Sequence, residues 1–288
     1  MTTVTGLCPM CHATDIGILL TRAFQDKDYS LARCRACGQH FCMPAPSATE
    51  IAEFYQGDYH ETLRTPGGSE QQFGVKFGRY RDWLLQFLRT GRTLDIGTAT
   101  GLFPAMLKEA GFEAEGLEYN PESARWGQEH YGIRIQTCAL EDSGAGPGAY
   151  DLISMTDVLE HTEYPLGYLK LARQYLRPGG FMLITFPDIE SLESRYLRFI
   201  SRVLHRDWIW FNCRIPHHVW EFTPATARAM FNKAGFEVAG FRRSHDGPPS
   251  SPGDLKLTLL QLPLRLLPLP LMNRLAGTQM EFVIRRRD

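Results

Sequence analysis

Four cysteines near the start of the chain stand in two pairs whose spacing suits metal binding. Cys8 and Cys11 form the first Cys-x-x-Cys pair, and Cys34 and Cys37 form the second after 22 intervening residues. Each pair places two thiolates at the ends of one tight turn, so that one tetrahedral zinc ion can take all four sulfur atoms. A zinc ion held by four protein thiolates has no coordination position left for a substrate or water. We therefore predict a structural zinc-ribbon module over residues 1–46 that scaffolds or recognises and does not catalyse.

Other interpretations of these cysteines stay open. A redox Cys-x-x-Cys normally uses one pair beside a βαβ element, whereas this chain has two pairs. His12, His40 and Cys42 are close enough in sequence to replace one of the four thiolates. A segment of this length buries little apolar surface, and a bound ion would supply the folding free energy that so small a core lacks.

A second group of residues suits nucleotide binding. The run 93–96 has the pattern of a short buried strand, and the turn after it carries small residues at alternate positions, Gly97, Ala99 and Gly101. Small residues let a ligand approach the backbone at the carboxyl end of a strand. A nicotinamide cofactor could use such a turn, but the spacing here is Gly-x-Ala-x-Gly and not Gly-x-Gly-x-x-Gly.

The segment from Asp95 to Gly101 resembles the first motif of the class I S-adenosylmethionine-dependent methyltransferases, with Ala99 where glycine is commoner. The resemblance continues in order through Glu118, which ends the second strand and in the family accepts hydrogen bonds from both ribose hydroxyls, to the hallmark at 176–180. It implies S-adenosylmethionine as cofactor. The residues that it implies for binding are Asp95, Gly97, Thr98, Ala99, Gly101, Glu118, Tyr119, Leu140, Glu141, Thr156 and Asp157.

Each of these residues alone has a plainer interpretation. Asp95 could be a turn acid, Glu118 a helix cap, and the glycines at 179–180 merely a turn. Their joint presence in the family's order favours a methyltransferase over a non-methylating relative that binds the same nucleotide.

Three histidines are candidates for the base that removes a proton from the acceptor: His218, His161 and His217. Histidine is the commonest proton acceptor near neutral pH, and a hydroxyl or carbon acid needs one, whereas a neutral amine needs little more than positioning. The segment 216–224 resembles the part of the family that follows the fifth strand, and there His218 aligns best. A structural role for His218, capping the next helix or holding the lid, is equally compatible with the sequence.

Asp157, Glu160 and His161 resemble the Asp/Glu-x-x-Glu-His sequence of the quinone O-methyltransferase branch, in which acids and histidine can hold a divalent metal. On a helix these three positions share a face, so joint ligation is geometrically reasonable. The Glu-His pair also recurs in family members without a metal, where it packs the loop. Mg²⁺ is therefore the weaker alternative to a metal-free site.

The elements that must position these residues have the pattern of an α/β protein. Short apolar runs alternate with helix-length segments, which is typical of βαβ units and a parallel sheet. The resemblance implies a doubly wound, Rossmann-like sheet of seven strands in the order 3-2-1-4-5-7-6. We divide the chain into the zinc-ribbon module 1–46, N-terminal helices over 47–90, and a methyltransferase domain over 91–288 with a lid insertion at 189–221. In that lid, Trp208, Trp210 and Phe211 could stack on a planar or sugar substrate.

Composition narrows the class of protein. Of 288 residues, 43% are hydrophobic and 22% are charged, which is typical of a soluble globular chain. The 31 basic residues do not exceed the 32 acidic ones, so we expect no nucleic-acid partner. The most apolar stretch, 255–275, is interrupted by prolines and an arginine, so we predict no transmembrane segment. Peripheral membrane contact or dimer packing through 255–275 stays open, and the chain could be a monomer or a homodimer.

The beginning of the chain lacks the basic and apolar regions of a secretory signal, and we predict a cytoplasmic protein. The predicted acceptor is a small molecule, such as a sugar, a polyketide or another secondary metabolite, methylated on oxygen or carbon. The pairing of the cysteine module with this domain resembles bacterial methyltransferases that include deoxysugar C-methyltransferases, although those usually carry a further large domain. The alternatives are a zinc-ribbon-guided methyltransferase acting on RNA or protein, and a non-catalytic nucleotide-binding scaffold.

Overall fold

The computed structural model describes residues 6–47, 49–51, 63–65, 67–206, 213–244 and 277–288. The described strands form two sheets, one of four strands and one of seven. The predictions for the segment 255–275 and for the aromatic residues Trp208, Trp210 and Phe211 lie outside the described residues.

The seven-stranded sheet has the strand order that the resemblance implied. Its strands are β4 (Arg92–Ile96), β5 (Glu113–Leu117), β6 (Arg134–Gln136), β7 (Tyr150–Thr156), β8 (Leu176–Pro187), β10 (Phe236–Ser244) and β11 (Gln279–Arg286). In space the order is β10-β11-β8-β7-β4-β5-β6, which is 6-7-5-4-1-2-3 when the strands of this sheet alone are numbered. From the other edge of the sheet the order is 3-2-1-4-5-7-6, which confirms the prediction. β11 runs antiparallel to both of its neighbours, and the pairs among β8, β7, β4, β5 and β6 are parallel.

Helices cover both faces of this sheet. Successive residues of a strand point to opposite faces, so Leu152 and Leu183 belong to one buried cluster while Ile153 and Ile184 belong to another. The cluster of Leu152 and Leu183 includes Tyr80, and the cluster of Ile153 and Ile184 includes residues of helices on the opposite face of the sheet. The helices are α1 (Gly68–Leu84), α2 (Leu102–Glu109), α3 (Pro121–Tyr131), α4 (Pro165–Tyr175), α5 (Leu192–Leu204) and α6 (Pro224–Lys233).

Helix α5 was not predicted from the sequence, which showed only an aromatic-rich segment there. The Ser191 side chain caps it by accepting a hydrogen bond from the Ser194 amide at 3.0 Å. Its buried positions include Ser194 and Ser201, whereas Phe199 and Val203 are exposed. Leu197 is buried on the same face as these serines, so α5 buries one leucine among small polar residues and leaves other apolar side chains exposed.

The smaller sheet joins the N-terminal module to a distant part of the chain. Its order is β1 (Ile16–Phe24), β2 (Lys27–Cys34), β3 (His40–Met43) and β9 (Trp220–Glu221), and all three pairs are antiparallel. Phe41 and Trp220 belong to the same buried cluster as Ile184 of the large sheet. The cysteine module and the seven-stranded sheet therefore share one core.

Among the described residues, no helix combines the length and the apolar character needed to cross a membrane.

Candidate active site and four-cysteine site

The turn after β4 has the backbone shape that its small residues permit. Gly97, Ala99 and Gly101 all have positive φ angles, of 72°, 50° and 80°. A Cβ atom on Gly97 would lie 2.7 Å from Val158, and one on Gly101 would lie 2.8 Å from Ile135, so neither position has room for a side chain. Ala99 adopts the same left-handed region although a Cβ atom makes that region unfavourable. The alanine that departs from the family motif is therefore accommodated with strain.

Asp95 and Glu118 are buried acids beside this turn. The Ser154 hydroxyl donates a 2.6 Å hydrogen bond to Asp95, whose pKa burial raises to about 7 against the effect of that bond. Glu118 accepts the Ala99 amide and the Asn120 amide, each at 2.8 Å. Burial raises the pKa of Glu118, and these amides oppose the rise. Each carboxylate oxygen has two lone pairs, so Glu118 retains acceptor capacity for a ribose diol.

The other residues expected to bind the cofactor follow neighbouring parallel strands. Tyr119 is exposed two residues after the end of β5, Leu140 and Glu141 lie in a 3₁₀ turn after β6, and Thr156 is the last residue of β7. Thr98 is buried within the turn after β4. Since the carboxyl ends of parallel strands meet at one edge of a sheet, the structure brings the predicted cofactor residues to that edge.

Asp157 follows β7 with a φ of 58° and is held by three donors. Lys76 Nζ lies 2.8 Å from Asp157 Oδ2, and the Thr185 hydroxyl and the Gln279 amide both donate to Oδ1. Burial alone would raise the pKa of Asp157, but the Lys76 charge and these hydrogen bonds outweigh burial and lower it. Sequence reasoning missed Lys76 because no local motif marks a contact between residues 81 positions apart.

Glu160, His161 and His218 converge after β7. One possible ligand atom of each lies within 4.8 Å of those of the others. Asp157 is not part of this group, and Leu159–His161 form a 3₁₀ turn, so the helical face assumed for residues 157, 160 and 161 does not form. Mg²⁺ prefers oxygen ligands, whereas this group offers one carboxylate and two imidazoles. The donor set therefore does not fit Mg²⁺.

The imidazole rings of His161 and His218 are nearly perpendicular, and their centroids are 4.9 Å apart. His161 Nδ1 lies 2.8 Å from the His217 carbonyl oxygen, and since a carbonyl only accepts, Nδ1 carries the proton. His218 Nδ1 lies 3.1 Å from Glu221 Oε1. Burial, with a contribution from the His218 charge, lowers the pKa of His161 to about 3, so this ring stays neutral at ordinary pH.

Glu160 is 1% exposed, and within the described part of the chain neither of its carboxylate oxygens has a hydrogen-bond partner. Burial and the neighbouring Asp157 charge raise its pKa well above the usual range, which favours the neutral acid. Its backbone carbonyl accepts the Val219 amide at 2.8 Å. This bond attaches the loop after β7 to the segment that carries the other two histidines.

His217, the third candidate, faces a different neighbour. Its ring packs edge-on against Phe24 of β1 with the centroids 4.9 Å apart, and burial lowers its pKa. The structure therefore pairs His161 with His218 and directs the His217 ring towards the N-terminal module.

The four paired cysteines form one compact cluster. The Sγ atoms of Cys8 and Cys37 are 3.7 Å apart, those of Cys11 and Cys34 are 3.6 Å apart, and all four lie within 4.8 Å of one another. Zn–S bonds of about 2.3 Å in a tetrahedron require sulfur separations of about 3.8 Å. Among the described residues the group contains neither His12, His40 nor Cys42. The four thiols thus fit a zinc ion.

A family model described as a methyltransferase domain matches residues 72–239. The curated relatives include a ubiquinone biosynthesis O-methyltransferase of Cereibacter sphaeroides, which is 28% identical over 153 residues that make up 51% of this chain and 60% of the relative. Its counterpart in Xanthomonas euvesicatoria is 24% identical over 162 residues, 52% of this chain and 64% of that protein. These matches therefore span about three fifths of each relative's length.

Solved structures show the same fold at low sequence identity. The 1,6-didemethyltoxoflavin-N1-methyltransferase of Burkholderia thailandensis, solved with 1,6-didemethyltoxoflavin and S-adenosylhomocysteine, has a TM-score of 0.54 and 15% identity over 93% of this chain and 99% of its own. A methyltransferase of Archaeoglobus fulgidus has a TM-score of 0.53 and 15% identity over 80% of this chain and all of its own. With more than half of its residues matched by the family model, the chain belongs to the methyltransferase-domain family.

Proposed function

We propose that this enzyme transfers a methyl group from S-adenosylmethionine to a hydroxyl oxygen of a small-molecule acceptor, with His218 as the general base. The observation that carries the proposal is the buried pair of His218 and Glu221, joined through Nδ1 at 3.1 Å. The curated relatives are named as O-methyltransferases, which supports a hydroxyl acceptor over a carbon acid.

Glu221 gives His218 the tautomer that a base needs. An ionised carboxylate can only accept a hydrogen bond, so the imidazole proton lies on Nδ1 and the lone pair lies on Nε2. His218 and Glu221 are 3% and 1% exposed, and in so dry a setting their interaction is stronger than it would be in water. When Nε2 takes the acceptor's proton, the Glu221 charge stabilises the imidazolium, as the acid of a catalytic triad does.

The reactive methyl group is supplied by the sulfonium of the cofactor, so the protein's tasks are alignment and deprotonation. His218 Nε2 takes the hydroxyl proton, and the acceptor oxygen would accept the methyl group as the bond between that group and the cofactor's sulfur breaks, with S-adenosylhomocysteine as the leaving group. Neutral Glu160 and neutral His161 keep further charge away from this centre. Glu118 and Asp95 hold the nucleoside end through the turn after β4.

Burial of the base also favours a small acceptor. His218 and Glu160 are almost fully enclosed, which favours an acceptor that enters the site whole over one presented from the surface of an RNA or a folded protein. The sugar and polyketide classes stay predictions within this proposal. We assign the four-cysteine site one structural zinc ion, which leaves no coordination position for an acceptor.

The test combines binding and turnover. Titration calorimetry with S-adenosylmethionine measures cofactor affinity, and a panel of phenols, catechols and sugars is assayed for methyl transfer. In the His218→Gln variant we expect affinity within about twofold of wild type and kcat lower by about 10²- to 10⁴-fold, the usual contribution of a general base.

The control is His130→Gln, since His130 lies on α3 and stacks on Trp126. It should behave as wild type in both measurements. Full turnover by the His218→Gln enzyme would remove the base from the proposal, and absence of cofactor binding by the folded wild type would remove the proposal altogether.

A further inference from the structure

Gln39 connects the cysteine cluster to Glu221. Its backbone is part of the turn that carries Cys34 and Cys37. The Gln39 carbonyl accepts a hydrogen bond from the Cys34 amide at 2.9 Å, and the Gly38 amide donates one to the Cys34 carbonyl at 2.9 Å. Its side-chain Nε2 donates to the Glu221 carbonyl at 3.0 Å and to the His40 carbonyl at 2.8 Å. One residue thus bonds both to a zinc-ligand turn and to the partner of His218.

The orientation of the Gln39 amide follows from its neighbours. Both partners are carbonyl oxygens, which only accept, so the NH₂ group must face them. Gln39 is 1% exposed, and its Oε1 atom has no hydrogen-bond partner within the described residues. Burying an unsatisfied oxygen is unfavourable, and a methionine would fill the same volume without it. Packing alone therefore does not account for glutamine here.

Strand β9 depends on the module for its place. It is two residues long and β3 is its sheet neighbour, with His40 opposite Glu221 and Phe41 opposite Trp220. The Cys42 amide extends the pairing by donating to the Val219 carbonyl at 2.8 Å. So short a strand has little stability of its own, and the module supplies most of its backbone partners.

The same segment contacts the loop after β7. The Val219 amide donates to the Glu160 carbonyl at 2.8 Å, and Trp220 Nε1 donates to the Thr162 carbonyl at 2.9 Å. A displacement of β9 would therefore move His218 and also disturb the loop that carries His161.

We propose that Gln39 is a positioning residue that holds Glu221, and through it His218, so that metal occupancy of the four-cysteine site governs methyl transfer. The inference rests on the proposed role of His218 as base and extends it to the N-terminal module. A structural zinc site couples ion binding to folding. Loss of the ion releases β3, and β9 then loses the strand that fixes the Glu221 backbone.

The experiment compares zinc-loaded wild type with Gln39→Met, which keeps the volume and removes both donors. We expect kcat to fall about tenfold or more, since the buried carbonyls of Glu221 and His40 each lose the Gln39 donor and keep only their strand partner, while the Kd for S-adenosylmethionine changes by less than about twofold. Long-range ¹H–¹⁵N spectra of the histidines report the tautomer directly. Wild type should show His218 protonated on Nδ1, and the variant should show a mixture of tautomers.

Gln128→Met is the control for loss of a glutamine side-chain donor away from the module. Gln128 Nε2 also donates to a strand carbonyl, that of Ile135 in β6, but from an exposed position on α3. This variant should keep the wild-type His218 spectrum. Removing zinc with a chelator and restoring it should abolish and recover the Nδ1 tautomer and turnover together, while cofactor binding persists.

The outcomes separate the two proposals. A Gln39→Met enzyme with wild-type kcat and a wild-type His218 spectrum overturns the positioning role. If the spectrum changes as expected but His218→Gln retains full turnover, His218 is not the base, and the link from the module to Glu221 still stands.

Discussion

The cofactor side and the histidine side of the site are assembled in different ways. On the cofactor side, Ala99 and Glu118 lie within one strand–helix–strand stretch and bond through a backbone amide. On the histidine side, His218 depends on Glu221, on Gln39 from the N-terminal module, and on the loop after β7. Cofactor binding should therefore survive damage to the module, whereas proton transfer should not.

Replacing one zinc ligand should separate the two sides most sharply. Cys34→Ser removes one of four clustered thiols, and structural zinc contributes about 10–16 kcal/mol to the folding of small zinc domains, so we expect the module to unfold. Metal analysis should find no zinc, and turnover should be abolished while calorimetry still detects S-adenosylmethionine binding. Cys138→Ser changes a thiol outside the cluster and should retain one zinc per chain. Loss of cofactor binding by Cys34→Ser would show that the two sides are not separable.

The converse change acts on the cofactor side. Glu118→Ala removes the carboxylate that bonds two backbone amides, and we expect the Kd for S-adenosylmethionine to rise about 10- to 100-fold, as for a charged hydrogen-bonding group. The value of kcat at saturating cofactor should change little, because His218 is untouched. Glu122→Ala, at an exposed position of α3, serves as control. An unchanged Kd would remove Glu118 from the cofactor site.

The free energy of unfolding should depend on pH because His40, in β3 of the N-terminal module, is buried. Burial lowers the pKa of His40 to about 3, whereas in the unfolded chain it is near 6.5, so below that pH the unfolded state binds a proton that the folded state does not. Stability should be complete above pH 6.5 and fall as the pH is lowered towards 3, by up to about 1.4 kcal/mol per pH unit for each such histidine. Urea unfolding at several pH values measures this dependence, and the free energy of unfolding of His40→Gln should change less steeply with pH than that of wild type. An equal slope in the variant would contradict the burial of His40 as a neutral ring.

The smallest effect concerns the strained turn. Ala99→Gly should raise the free energy of unfolding by up to about 1 kcal/mol, because glycine adopts the left-handed conformation without strain. The increase is limited because glycine also gives the unfolded chain more conformational freedom. Ala105→Gly, within helix α2, should instead lower it by about 1 kcal/mol. Thermal unfolding measures both. A loss of stability in Ala99→Gly would mean that the turn tolerates alanine without strain.

Residues that are close along the chain account for most of what the sequence could predict. The four cysteines were identified because each turn supplies two ligands from positions three apart, and such spacing is visible without a structure. The strand order followed from motifs that resemble a known family. Helix α5 could have been predicted, because apolar residues recur at helical spacing from Leu192 to Leu204. The sequence does not show that Phe199 and Val203 face outward while Ser194 and Ser201 are buried.

The thiol set, the glycine-containing turn and the acids beside it can be identified without a structure, since each depends on local backbone geometry and short spacing. The contacts of Lys76 with Asp157, of His161 with His218 and of β3 with β9 follow only from the tertiary fold. These contacts join segments separated by 57 to more than 170 positions. No dihedral preference or periodicity encodes such a pairing, because it depends on how the two sheets pack around their shared core.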